Sequence, residues 1–237
     1  MTKNAVWDED ELSTIQNVDR MLPSQPYFQK MYNGSDFYGD LQNAMAALAP
    51  MRAFDIKLKD GITYAALGSE LNTLHFYQFL IRSHGFSNIL ELGTYIGVSA
   101  MYMAVAGAYV TTVEKGREFH DLAYFNVTRN WLTDKIDLVN RDAIEFLKNE
   151  KFIYDMILID CAKESYKELL ELSMPRLSKN GIILVDDVLF QGDTLNKEPT
   201  SEKGAGVKRM LEYVWTLEGW DKIMLPIGNG LLMLRRL

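Results

Sequence analysis

The segment Ile89-Leu-Glu-Leu-Gly-Thr-Tyr-Ile-Gly-Val-Ser99 constrains this chain most. A short apolar run breaks at a glycine and passes directly into a helical pattern, the strand–turn–helix unit of an open α/β sheet. Glu91 closes the strand, and Gly93 and Gly97 leave room at the turn for a ligand to approach the backbone. In such a sheet, ligands gather beyond the carboxyl ends of the strands. The segment therefore bears on both the fold class and the place where a site must lie.

From about residue 64 the same rhythm repeats. A helix over 64–83 leads into a strand at Asn88–Leu92, a helix over 97–106, a strand at Tyr109–Val113 and a helix over 117–130. A third strand lies near Ile136–Val139, and a helix starts after Asp142. The fourth strand, Tyr154–Asp160, is almost wholly apolar, as a central parallel strand buried on both faces should be. A helix over 163–174 stops ahead of Pro175, and a fifth strand covers Gly181–Asp186. After a polar loop over 190–203, a helix over 205–217 carries the stripe Val207, Met210, Leu211, Val214. Lys222–Arg235 has the pattern of a hairpin around Gly228-Asn-Gly230. Alternating strands and helices predict a parallel sheet covered on both faces, with an antiparallel strand added at or near one edge.

Residues 1–60 lack this rhythm. Pro23, Pro26, Gly34 and Gly39 separate short apolar clusters, and Leu41–Leu48 has a helical pattern stopped at Pro50. The expected organisation is a helical cap over 1–60 and a main domain over 61–237. The single cysteine excludes an intramolecular disulfide and suits a reducing, cytoplasmic setting. An acidic cluster, Asp8-Glu-Asp-Glu11, stands where a secretory signal would need an apolar stretch; it is better suited to a helix start. The longest apolar run, Val98–Val110, is too short to span a bilayer, so no membrane role is expected. A net charge of −7 argues against a large nucleic-acid footprint without excluding a local basic groove.

The turn spacing narrows the ligand. Dinucleotide folds use G-x-G-x-x-G to bring backbone amides onto a pyrophosphate. Here Gly93-Thr-Tyr-Ile-Gly97 is G-x-x-x-G, so that cradle is missing and a cofactor without phosphate fits better. S-adenosylmethionine is such a cofactor. Glu114 lies 23 residues beyond Glu91, one past the second strand, where it can accept both ribose hydroxyls. A tight turn with no ligand remains open on the pattern alone, whereas the missing third glycine disfavours a nicotinamide-dependent reductase.

A second group of residues follows strands four and five. Asp160 ends one, and Asp186-Asp187 ends the other. Adjacent central strands would bring three carboxylates to one rim, where they resist common ionisation without a cation. A hard divalent ion, Mg²⁺ by default, resolves this with oxygen ligands; the alternative is that Asp160 caps a helix and Asp187 is a loop residue. Lys163, one turn beyond Asp160, reaches the same rim, and a nearby cation would lower its pKa and make its amine a base. Outside such a cluster, a lysine there would be a solvated surface residue.

Together, ILELGTYIGVSA, the strand-end acid in VTTVEK, DMILIDCAKESY and GIILVDDVLFQG resemble the cation-dependent class I O-methyltransferases. This is the group of the catechol and caffeoyl-coenzyme A enzymes and their bacterial relatives, and the resemblance covers about residues 60–237. It implies a Rossmann-like class I methyltransferase fold, with a mostly parallel seven-stranded sheet and an antiparallel C-terminal hairpin strand. It implies Gly93 beside the methionine part of the cofactor, Tyr95 near the sulfonium, and Ser99 on the carboxylate. Glu114 would hold the ribose, Asp142 and Ala143 would border the adenine, and Ile62 and Thr63 would close over the cofactor. Asp160, Asp186 and Asp187 match the metal triad, and Lys163 matches the lysine base. Relatives of this kind are commonly dimers, which makes a homodimer the expectation. The family usually has Asp-Asn where this chain has Asp186-Asp187, and many relatives have Asp where this chain has Asn229.

The reaction so implied is methyl transfer from S-adenosylmethionine to a hydroxyl of a catechol-like or vicinal-dihydroxy small molecule. Phe190, the 190–203 loop and the cap would shape the acceptor pocket, whereas Trp215 and Trp220 fit core packing better. Two alternatives stand beside it: a hydroxylated uridine of tRNA as acceptor, and a non-catalytic S-adenosylmethionine-binding protein. His75, His84 and His120 lack ligand spacing, and Cys161 is expected to pack beneath the site rather than ligate.

Overall fold

The computed structural model describes residues 71–237, with the side chains from residue 72 onward. The expected cap over 1–60, the helix at Leu41–Leu48, and Ile62 and Thr63 lie outside the described residues. Helix α1 (Leu71–His84) precedes β1 (Asn88–Leu92), α2 (Val98–Val105), β2 (Tyr109–Glu114), α3 (Arg117–Arg129) and β3 (Ile136–Asn140). Then come α4 (Ala143–Asn149), β4 (Tyr154–Ile159), α5 (Tyr166–Ser173), β5 (Leu177–Val185), α6 (Glu202–Thr216), β6 (Trp220–Leu225) and β7 (Leu231–Arg236). No described helix is long and apolar enough to cross a membrane.

The seven strands form one sheet in the order β3-β2-β1-β4-β5-β7-β6. The β1–β5 pairings are parallel, and β7 runs antiparallel between β5 and β6. The expected fold class holds, with the hairpin supplying both the outermost strand and its neighbour. Strand periodicity divides the core in two. Ile89, Met156, Leu158, Ile182 and Leu184 face one side with residues of α1 and α2. Leu90, Leu92, Ile157, Ile159, Ile183 and Val185 face the other, against α4, α5 and α6. Residues at which this alternation continues past the strand ends are thereby assigned a face: Asp160 and Asp186 extend the α1–α2 side.

Three boundaries depart from the sequence expectation, each for a local reason. β5 starts at Leu177 rather than Gly181, because Leu177 already pairs with Tyr154 before the register shifts and Ile182 pairs with Met156. The helix expected over 163–174 divides into a 3-10 turn, Lys163–Ser165, and α5. The loop over 190–203 contains a 3-10 segment, Phe190–Leu195, and α6 starts at Glu202 because the Ser201 hydroxyl accepts the Gly204 amide at 3.0 Å.

Helix α6 lies directly on the Lys163–Ser165 turn, and Gly206 is what permits it. A Cβ there would sit 2.5 Å from the Lys163 carbonyl oxygen and 2.6 Å from Glu164 Cα. Alanine ordinarily improves a helix interior by about 0.5–1 kcal/mol over glycine. Overpacking against backbone costs about 1–3 kcal/mol, so the clash wins. Gly206→Ala is therefore expected to destabilise the protein by about 1–2 kcal/mol net. Urea unfolding checks this, and an unchanged or raised midpoint would contradict the close approach.

Candidate active site

The carboxyl ends of the strands form a continuous hydrogen-bonded rim. The Gly93 amide donates to the Val113 carbonyl at 3.0 Å, Asp160 to Leu92 at 2.9 Å, and Asp186 to Ile159 at 3.0 Å. Each residue that leaves its strand is thus still tied to the neighbouring one, which fixes where its side chain begins.

At β1, Gly93 has φ +111°, and a Cβ there would lie 1.9 Å from the Asp160 carbonyl oxygen. Only glycine fits between these two strand ends. Tyr95 has φ 49°, and its amide donates to Glu114 Oε2 at 2.9 Å. Glu114 Oε1 accepts the Gly116 amide at 2.7 Å. The β1 turn is therefore anchored to the acid at the end of β2, and the Tyr95 ring packs on Phe119 at 4.9 Å. Gly97 caps α2 with φ +87°, where its Cα packs toward Ala123.

Glu91 is completely buried and is hydrogen-bonded to Ser99 and, at 2.5 Å, to Thr112. Thr112 in turn meets Thr94 at 2.6 Å. Burial pushes the Glu91 carboxyl up to about 8, against the pull of its Ser99 and Thr112 hydrogen bonds, with Asp160 and Glu114 adding to the rise. Glu91 is thus a buttress beneath the turn that holds Ser99, rather than an exposed ligand group. At the end of β3, Asp142 caps α4 by accepting the Ile144 amide at 2.9 Å and the Glu145 amide at 3.3 Å. It also pairs with Lys115 at 3.0 Å, and the Lys115 hydrogen bond leads in holding its carboxyl below the usual range. Ala143, half-buried, opens α4 beside it.

At the ends of β4 and β5, Lys163 bridges the acidic residues. Its Nζ lies 2.7 Å from Asp187 Oδ2 and 3.5 Å from Asp160 Oδ1. Lys163 is 9% exposed, with the Tyr166 ring 5.5 Å and the Phe190 ring 5.9 Å from its ammonium. Burial alone would lower its pKa, but Asp160 and Asp187 outweigh burial and raise it, so the group carries its proton. Asp186 points inward: Tyr77 donates its hydroxyl to Oδ2 at 2.9 Å, and the Asp187 amide donates to Oδ1 at 2.7 Å. Burial first, then Asp160 and Asp187, push Asp186 up to about 7. Tyr166 grips the same residue by donating to its carbonyl at 3.1 Å.

The three acids are chemically suited to a hard divalent ion. Their arrangement is not that of a prepared ion site, because Asp187 is turned onto Lys163 and Asp186 onto Tyr77. Among the described residues, no group of three or more His, Cys, Asp or Glu side chains is placed to hold a metal ion. Lys163 therefore meets two of the three acids, Asp160 and Asp187, while Tyr77 holds the third, Asp186.

The structure thus brings Gly93, Tyr95, Ser99, Glu91 and Glu114 together around one turn, and Asp160, Lys163, Asp186 and Asp187 around the adjacent rim. Asp142 and Ala143 sit past the end of β3, next to Lys115. Cys161 is half-buried, its thiol pushed up to about 12 by burial, which leaves it inert. Trp215 is 58% exposed on α6, away from core packing, and Trp220 opens the edge strand β6. The partners that sequence inspection missed are Tyr77, Tyr166, Thr94 and Thr112. Tyr77 and Tyr166 fall at apolar helix positions, so their hydroxyls gave no signal distinct from core packing.

The O-methyltransferase family model matches residues 43–237. The chain belongs to the O-methyltransferase family. It is 26% identical over 208 residues to the Dictyostelium discoideum protein named probable caffeoyl-CoA O-methyltransferase 3, covering 75% of this chain and 83% of that one. It is 31% identical over 152 residues to the catechol O-methyltransferase of Niastella koreensis, covering 61% and 68%. In fold it is similar to the SAH-bound methyltransferase PaMTH1 of Podospora anserina, with TM-score 0.69, 19% identity and coverage of 100% and 99%. It is also similar to the Bacillus cereus O-methyltransferase solved with SAH, with TM-score 0.65, 22% identity and coverage of 94% and 97%.

Because Glu91 titrates near 8 in the folded chain and near 4.5 when unfolded, the folded state holds the extra proton between those values. Stability therefore falls as pH rises through that window and levels off above it. Asp186 adds a fall of the same sense up to about 7. Glu91→Gln removes the ionisable group and is expected to be the more stable protein at pH 8, by on the order of a few kcal/mol relative to its standing at pH 5. Denaturant unfolding of both proteins at the two pH values checks this, and parallel pH profiles would contradict it.

Proposed function

We propose that this O-methyltransferase transfers the methyl group of S-adenosylmethionine to a hydroxyl of a catechol-like or vicinal-dihydroxy small molecule. The single observation that carries the reading is the Lys163 ammonium group, fixed at the strand rim by Asp187 and walled by Tyr166 and Phe190. Support for the acceptor class comes from the caffeoyl-CoA and catechol enzymes among the relatives.

In this reading the cofactor lies across the β1 and β2 ends. Both Glu114 oxygens already accept turn amides, yet each keeps a lone pair for a ribose hydroxyl. The absence of a side chain at Gly93 lets the methionine portion approach, and Tyr95 borders the sulfonium. Ser99, held by Glu91 at the start of α2, faces the amino-acid carboxylate where the helix dipole favours an anion. Asp142 and Ala143 border the adenine.

At the acceptor, the carbon–sulfur bond of the sulfonium breaks as an oxygen–carbon bond forms, leaving a methyl ether and S-adenosylhomocysteine. The acceptor hydroxyl gives up its proton to solvent. Lys163, already protonated, serves best as the positive charge that favours the ionised oxygen, rather than as the group that takes its proton. Most of the remaining acceleration is positioning of oxygen, methyl and sulfur in line.

Two variants test this. Lys163→Met is expected to lower kcat by about 10²–10³-fold, with little change in S-adenosylmethionine binding. Glu114→Ala is expected to weaken cofactor binding about tenfold or more, the scale of lost hydrogen bonds to a charged group. Calorimetric titration and a labelled-methyl assay over a panel of catechols check both. Incorporation into bulk tRNA with none into catechols would replace the acceptor class. Tight cofactor binding without transfer to any hydroxyl would overturn the enzymatic reading.

A further inference from the structure

The disagreement between the donor types on the rim and their arrangement has a specific source. We propose that Lys163 is the resident counter-cation of this acidic rim, and that a divalent ion can bind there only by displacing Lys163 from Asp187. The inference rests on the proposed function only in taking this rim as the transfer centre.

Lys163 is held as a fixture. Its backbone belongs to the 3-10 turn against which α6 packs through Gly206. Its side chain is 9% exposed between two aromatic rings, which stabilise a cation and restrict where the ammonium can go. The ammonium is closer to Asp187, at 2.7 Å, than to Asp160, at 3.5 Å. The carboxylate at position 187 is thus its main partner.

Asp187 follows Asp186 just beyond the end of β5. Its φ of 58° is left-handed, a conformation that asparagine and aspartate both adopt readily. The backbone therefore does not demand the acid. A neutral amide at this position would leave Lys163 with Asp160 alone, whereas Asp187 gives it a charge-assisted hydrogen bond in a partly closed site. Asp186 cannot compensate by turning outward freely, because Tyr77 holds its Oδ2 and the Asp187 amide its Oδ1. An incoming ion must compete with an ammonium already in place.

The test is Mn²⁺ binding to the full chain, followed by electron paramagnetic resonance of free Mn²⁺. Lys163→Met and Lys163→Gln are expected to bind Mn²⁺ at least tenfold more tightly than the wild type. Lys163→Arg, which keeps the charge, is expected to stay within about threefold of it. Circular dichroism confirms that each variant is folded. Crystals of the wild type soaked in MnCl2 supply a second measurement that needs no variant: any Mn²⁺ seen on Asp160 and Asp187 must come with Lys163 Nζ moved out of hydrogen-bond reach of Asp187. Equal Mn²⁺ affinity in wild type and Lys163→Met, or Mn²⁺ bound with the Lys163–Asp187 pair intact, would overturn the proposal. Because the readout is metal binding, it fails or succeeds separately from methyl transfer to any acceptor.

Discussion

Like charges brought together at the ends of adjacent strands must be neutralised, and the rest of this site follows from how that is done. Asp160, Asp186 and Asp187 come from the ends of β4 and β5, next to each other in the sheet. Burial disfavours the ionised forms of Asp160 and Asp186. One ammonium, Lys163, meets Asp187 and Asp160, while Asp186 turns to the buried hydroxyl of Tyr77. The positive charge so placed is what an ionising hydroxyl would encounter on arriving beside the cofactor turn.

The sheet supplies the precision. Amides just past β1, β4 and β5 still bond to the neighbouring strand, so the rim is an extension of the ladder rather than a set of loops. Gly93 brings the β1 turn against the backbone of Asp160, which couples the proposed cofactor side of the site to the acidic side through a contact no side chain could enter. Helices on the two faces contribute from below: α1 reaches Asp186 through Tyr77, and the 3-10 turn carrying Lys163 is pressed in place by α6.

Much of this was legible from residue patterns, because the information is local. The strands are short runs bounded by turn residues, and Asp160, Asp186 and Glu114 stand at strand ends where periodicity alone assigns them to one rim. What was not legible depends on side-chain direction across the fold. Tyr77 occupies an apolar stripe position of α1, so its hydroxyl is indistinguishable in sequence from core. The Lys163–Asp187 pair joins residues that follow different strands, and no spacing rule predicts that the lysine, rather than an added ion, is the partner of Asp187. Glu91 closes β1, and only the alternation along the strand shows that its side chain turns into the α1–α2 core, where Thr112 and Ser99 surround it. The boundary shift at β5 likewise arises from a register change that only pairing with β4 reveals.

Family membership establishes O-methyl transfer as the class of chemistry, and the arrangement of charge at the rim connects that chemistry to particular atoms. The central claim is that the cofactor turn and the Lys163 rim form one transfer centre. A crystal structure of the protein with S-adenosylhomocysteine and a catechol tests it most directly. The ribose hydroxyls are expected on Glu114, with a catechol oxygen within hydrogen-bond distance of Lys163 Nζ and facing the sulfur. S-adenosylhomocysteine bound away from Glu114, or a catechol seated with no oxygen near Lys163, would contradict it.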